Sequence, residues 1–194
     1  LGIVLTHAHE DHIGAIAHIW PQLNCKIYAT PFTSLLIKEK FKEKQIDITN
    51  KLVVVNLNGT VNLDPFTIEY ITLTHSILEP NGLRIKTPIG TILHTGDWKV
   101  DPNPLIGDKI NSKRLTEIGK EGVLAMICDS TNVFSVGKSG SESDVRKSLL
   151  KIMLRLKKRI IVTSFASNVA RMETVFDCAE KTGRQISLVG RSMH

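Results

Sequence analysis

One stretch constrains this chain more than any other: Thr6-His7-Ala8-His9-Glu10-Asp11-His12. Three histidines and an aspartate fall within six residues, directly after an apolar run at 1–6 that reads as a buried strand. Imidazole nitrogen and carboxylate oxygen suit Zn²⁺ and similar divalent ions. In a loop between strand and helix, His7 and His9 can face one way while Asp11 and His12 face another. One short segment can then hold two adjacent metals. Gly14 lets the following helix start close to that loop. A chance polar loop is the plain alternative, and the density of ligands argues against it.

Two later positions fit the same site. His75 follows the apolar run ending at Thr74, and Asp97 closes His94-Thr95-Gly96-Asp97. Both come at expected strand ends, where side chains reach a cleft. Alone, His75 could be a core histidine and Asp97 a turn residue; after the first motif, both read as ligands.

Around these positions apolar runs alternate with helical patterns. The pattern predicts strands at 26–30, 52–57, 66–74, 83–87, 91–95 and 123–128. It predicts a short helix at 13–23 ended near Pro21, and another at 31–44 with Pro31 in its first turn. Pro88-Ile89-Gly90 between two strands is a hairpin signal. A Ser/Gly-rich segment at 135–143 marks a boundary. Beyond it the pattern predicts a helix at 141–157, a strand at 159–165, a helix at 168–181 and a strand at 185–189, a βαβ unit of a parallel sheet.

Composition narrows the class. The chain has 194 residues, 42% of them hydrophobic and 23% charged, which excludes a mainly disordered chain. No apolar run is long enough to span a bilayer. The net charge of +6 favours polyanionic partners without choosing among them. Cys25, Cys128 and Cys178 are odd in number and far apart, which argues against a disulfide framework and for a reducing compartment. Leu1 in place of a start methionine, with a motif six residues on, predicts a fragment.

The order His7-x-His9-x-Asp11-His12, then His75, then Gly96-Asp97, resembles three motifs of the metallo-β-lactamase superfamily. Asp129-Ser130-Thr131-Asn132 resembles the acidic motif of its β-CASP nucleases. With Phe165-Ala166-Ser167-Asn168 and Val189-Gly190-Arg191-Ser192-Met193, the chain looks like bacterial ribonuclease J over nearly its whole length. The resemblance implies an α/β fold: a metallo-β-lactamase αββα sandwich truncated at its N-terminus (1–135), then part of a β-CASP parallel α/β domain (136–194).

It further implies two zinc ions, one held by His7, His9 and His75, the other by Asp11 and His12, with Asp97 bridging. Asp11 and Asp129 would be the catalytic carboxylates. Ser167, Asn168 and Val169 would hold an RNA phosphate or terminal nucleotide, although an ordinary helix cap there is equally compatible. The implied activity is endonucleolytic and 5′-to-3′ exonucleolytic hydrolysis of single-stranded RNA, in the cytoplasm, by a parent that forms homo-oligomers and needs no membrane. Another hydrolase of the superfamily, or a non-catalytic metal- or RNA-binding remnant, are the competing readings. The chain departs from the family at Leu78-Glu79, where Pro-Asp is usual, and at Ala170-Arg171, where His-Arg is common. His94 is expected to brace the Asp97 loop, His18 to be a packing or surface residue, and the basic run 147–159 to be a solvated face.

Overall fold

The computed structural model describes residues 1–190 and 193; Arg191 and Ser192 of the last motif, and His194 after it, lie outside the described residues. Three parallel strands form one sheet in chain order: β1 (Gly2–Val4), β2 (Lys26–Ala29) and β3 (Leu52–Val54). Parallel neighbours need crossovers, and helices supply them: α1 (Glu10–Ile13) and α2 (Ile16–Leu23) between β1 and β2, and α3 (Pro31–Glu43) between β2 and β3. The second sheet also runs in chain order: β4 (Thr60–Leu63), β5 (Phe66–Thr72), β6 (Asn81–Thr87), β7 (Gly90–His94) and β8 (Ala125–Ile127). Its first four strands are antiparallel neighbours, and β8 joins β7 in parallel. Thr87 pairs with Gly90, so Pro88-Ile89 is the hairpin loop.

Side-chain alternation builds the layers. Ile27 and Ala29 of β2 face the helices, packing with Ile13, Ile16, Trp20, Ile37 and Phe41. Tyr28, between them, faces the second sheet and packs with Ile68, Tyr70 and Leu83. The Tyr70 hydroxyl donates to the Tyr28 carbonyl at 3.0 Å, tying β5 to β2 across the two sheets. On the outer face of β5, Glu69 receives Arg114 of α4 (Ser112–Glu121). The order is therefore helices, sheet, sheet, helix, as expected for an αββα sandwich.

Four differences from the expected elements have local causes. The helix expected at 13–23 is split: α1 closes at Ile13 and α2 begins at Ile16, runs through Pro21, which forfeits a single hydrogen bond, to the expected Leu23, and stops at Asn24 in the left-handed region. β4 and α4 are additional elements. After α5 (Glu142–Arg155), neither 159–165 nor 185–189 joins a β-ladder among the described residues. A strand needs a partner for its backbone groups, and Ile161, Phe165 and Val189 stand exposed with none beside them. The expected parallel sheet is thus not formed here. Instead, α5 and α6 (Val169–Lys181) pack as a pair around Met153, Cys178 and Ala179.

Candidate metal centre

Three strand ends meet at one edge of the sandwich. β5 and β7 both run antiparallel to β6, so both point the same way, and His75 and Asp97 follow their ends. Thr74 and Lys99 form an isolated bridge, with Lys99 N–H donating to the Thr74 carbonyl at 2.9 Å, which fastens the two loops together. The end of β1 is brought alongside by Asn81, whose backbone N–H and side-chain amide both donate to the Thr6 carbonyl, at 3.1 and 3.0 Å. Beyond Thr6, α1 turns His9, Asp11 and His12 over the same edge, held down by Ile13, which is fully buried. Gly96 sits at φ 57°, where a Cβ would lie 2.9 Å from the Asn81 carbonyl oxygen; only glycine lets the chain enter Asp97 this way.

The donors fall into two sets that share Asp97: His7, His9, His75 and Asp97, and Asp11, His12 and Asp97. His9 Nδ1 lies 3.1 Å from both His7 Nε2 and His75 Nε2. Nitrogens around one tetrahedral ion at about 2.0–2.1 Å stand about 3.3 Å apart, so this spacing suits a single cation. Asp97 divides its carboxylate between the sets. Oδ2 lies 3.7 Å from His75 Nε2 and 4.0 Å from His7 Nε2, while Oδ1 lies 3.3 Å from His12 Nε2. Asp11 Oδ2 is 3.7 Å from the same His12 nitrogen.

Electrostatics favours the ligating form of the imidazoles. Burial, reinforced by His12, His9 and His75, pushes His7 down to about 2. Burial and then His9 push His75 down to about 4 against the pull of Asp97 and Asp129. Burial also lowers His9. His7 Nε2, His9 Nδ1 and His75 Nε2 converge on one another, and in their neutral form this donor set fits one divalent cation. With Nε2 of His7 facing inward, its Nδ1–H points to Thr6 Oγ at 3.1 Å, which fixes the ring.

The other singled-out residues lie around this edge. Asp129 belongs to neither donor set; its Oδ1 accepts from Thr131 N–H at 2.9 Å and from the Thr131 hydroxyl at 2.7 Å. The Thr131 amide and hydroxyl hold its carboxyl below the usual range. Asn168 caps α6 by accepting from Arg171 N–H at 2.9 Å, Val169 packs on the core beneath the helices, and the Ser167 carbonyl lies 3.3 Å from His9 Nε2. His94 Nδ1 accepts from Gly96 N–H at 3.0 Å, bracing the Asp97 loop. His18 is exposed. At the two departures, Glu79 accepts from Phe32 N–H at 2.8 Å at the start of α3, and Ala170 is buried, its N–H donating to the Ser76 carbonyl at 3.2 Å. Thr6, Ser76 and Asp101 were missed as site residues; hydroxyls and one carboxylate in loops carry no sequence pattern.

A two-sheet sandwich with histidine and aspartate donors gathered at one edge defines a metal-binding αββα protein. Residues 1–164 match the family model for the metallo-beta-lactamase superfamily, and the chain belongs to that superfamily. Residues 157–194 match the model for the ribonuclease J beta-CASP domain. Within the superfamily the resemblance is to ribonuclease J. The chain is 43% identical over 193 residues to "Ribonuclease J" of Sinorhizobium meliloti, covering 98% of this chain and 34% of that protein. It is 39% identical over 196 residues to "Ribonuclease J" of Methanocaldococcus jannaschii, covering 98% and 44%. The chain thus spans less than half the length of these relatives. Among solved structures, a protein of unknown function from Enterococcus faecalis V583 shares the fold, with TM-score 0.62 and 18% identity over 95% of this chain and 45% of that one.

Proposed function

We propose that this chain supplies the metal centre of a ribonuclease that hydrolyses single-stranded RNA with two zinc ions, by endonucleolytic and 5′-to-3′ exonucleolytic cleavage, in cytoplasmic RNA processing and decay. The observation that carries this is the Asp97 carboxylate, with one oxygen turned to each donor set. His7, His9 and His75 would hold one ion and Asp11 and His12 the other. When bound, two such ions activate water near neutral pH and neutralise charge on phosphoryl oxygens. The residues themselves keep the imidazoles neutral, hold the Asp97 carboxylate between the sets and fix its approach through Gly96. Asp129, held rigid by Thr131 and close enough to act on His75, would orient the groups around the scissile phosphate. The exposed Ser167 hydroxyl, with Asn168 and Val169 behind it, would meet the RNA beside His9. The net charge of +6 supports a polyanionic substrate. We place the domain division at 135/136, on the Ser/Gly-rich segment, and expect the ribonuclease to be a homo-oligomer.

The second set holds three side chains among the described residues, with Asp11 exposed. That favours, as second reading, a unit that binds metal without turnover on its own. Zinc content of the purified chain, measured with cleavage of a 5′-monophosphorylated RNA and of a thioester, separates the readings. Two zincs with RNA cleavage supports the proposal. Zinc with inert RNA and thioester hydrolysis assigns another hydrolase of the superfamily, and zinc with neither assigns the non-catalytic unit.

A further inference from the structure

His9 uses its two ring nitrogens in opposite directions. Nδ1 faces the donor set, 3.1 Å from His7 Nε2 and from His75 Nε2. Nε2 faces away, 3.3 Å from the Ser167 carbonyl and 3.4 Å from Ser76 Oγ. If Nδ1 gives its lone pair to a cation, the ring proton resides on Nε2, and this N–H needs an acceptor. The nearest acceptor comes from a residue 158 positions along the chain.

The turn that carries it is fastened on several sides. Asn168 N–H donates to the Phe165 carbonyl at 3.0 Å, and the Asn168 side chain caps α6. Ala170 N–H donates to the Ser76 carbonyl at 3.2 Å, immediately after His75. Arg171 forks onto Glu142 of α5, at 2.7 and 3.1 Å, and Thr174 donates to the same carboxylate at 3.1 Å. Glu142 is buried, and its N–H donates to Asp101 Oδ2 at 3.1 Å. Asp101 N–H in turn reaches Thr74 Oγ at 3.2 Å, immediately before His75. The two C-terminal helices therefore hold both neighbours of one ligand and the outer nitrogen of another.

We propose that Ser76 and the Ser167 carbonyl are positioning groups for His9, and that through them the docking of the α5–α6 pair and metal binding strengthen each other. The inference rests on the metal site proposed above and adds the groups that regulate its affinity. Partners that orient a ligating histidine typically change metal affinity by about 10- to 100-fold. The coupling is reciprocal, because a helix pair that raises metal affinity must itself be held more firmly when metal is bound.

The test is zinc affinity by chelator competition on the whole chain, with amide exchange of α6 followed with and without zinc. Ser76→Ala removes one acceptor and leaves the clamp intact; Glu142→Gln weakens the clamp and leaves the site intact. Each is expected to lower zinc affinity by about tenfold. Zinc is expected to slow exchange in α6 of the wild type. Tyr70→Phe, which loosens the sheets without touching His9, is expected to leave zinc affinity unchanged. Unchanged affinity in Ser76→Ala and Glu142→Gln, with α6 exchange indifferent to zinc, overturns the inference while the metal site stands. An equal loss in Tyr70→Phe also overturns it, since the effect would then be general stability. A wild type that binds no zinc removes the metal reading and the inference with it.

Discussion

At the scale of single residues, the histidines are held in a state that water would not give them. Burial brings His7 to about 2 and His75 to about 4, whereas both titrate near 6.5 in an unfolded chain. Between those values the unfolded chain takes up protons that the folded chain refuses. Their contribution to stability is therefore full above about 6.5 and is lost as pH falls through about 4 for His75, and further still for His7. Urea unfolding of the metal-free protein is expected to show stability falling between pH 7 and pH 5, by up to about 1.4 kcal/mol per pH unit for each of these histidines. A flat profile there would contradict the burial described. The same residues were the most legible in the sequence, because His7, His9, Asp11 and His12 crowd one turn. Their supports were not. Thr6 and Ser76 act through hydroxyls that look like any others, and Asp101 matters only because folding buries it between two loops. Glu79, a departure from the family pattern, found its use at the start of α3, a contact 47 residues away along the chain.

At the scale of elements, the site is where strands stop. The Tyr70 hydroxyl crosses from β5 to the Tyr28 carbonyl of β2, and that carbonyl also accepts from Leu5 N–H at 2.9 Å. Tyr70→Phe should therefore cost about 1 kcal/mol, since the carbonyl keeps one partner. Denaturant unfolding measures this, and a loss several times larger would mean the hydroxyl holds more than that bond. The strands with long apolar runs and the hairpin at Pro88-Ile89 were legible. β4 was not, since it offers four residues and takes its place only by pairing with β5. α4 shows little apolar face beyond Leu115 and buried Ile118, and it is held by Arg114 on Glu69. The runs at 159–165 and 185–189 have strand composition without a strand, because composition supplies the propensity and only a neighbour supplies the ladder.

At the scale of the molecule, donors spread from His7 to Asp97 are drawn to one edge of the sandwich, and a pair of helices farther along the chain docks beside it. No helix among the described residues is long and apolar enough to cross a membrane. A cation that binds only the folded arrangement must stabilise the whole fold, by about 2.7 kcal/mol at a free concentration a hundredfold above its Kd. Thermal unfolding is expected to shift upward with zinc and to return with a chelator, and His7→Ala should abolish most of the shift. The most direct test is an anomalous-difference map at the zinc edge from crystals grown with zinc. Two peaks are expected, one on each side of the Asp97 carboxylate, the first among His7, His9 and His75 and the second beside Asp11 and His12. Density elsewhere on the surface, with these side chains clear of any ion, would contradict it.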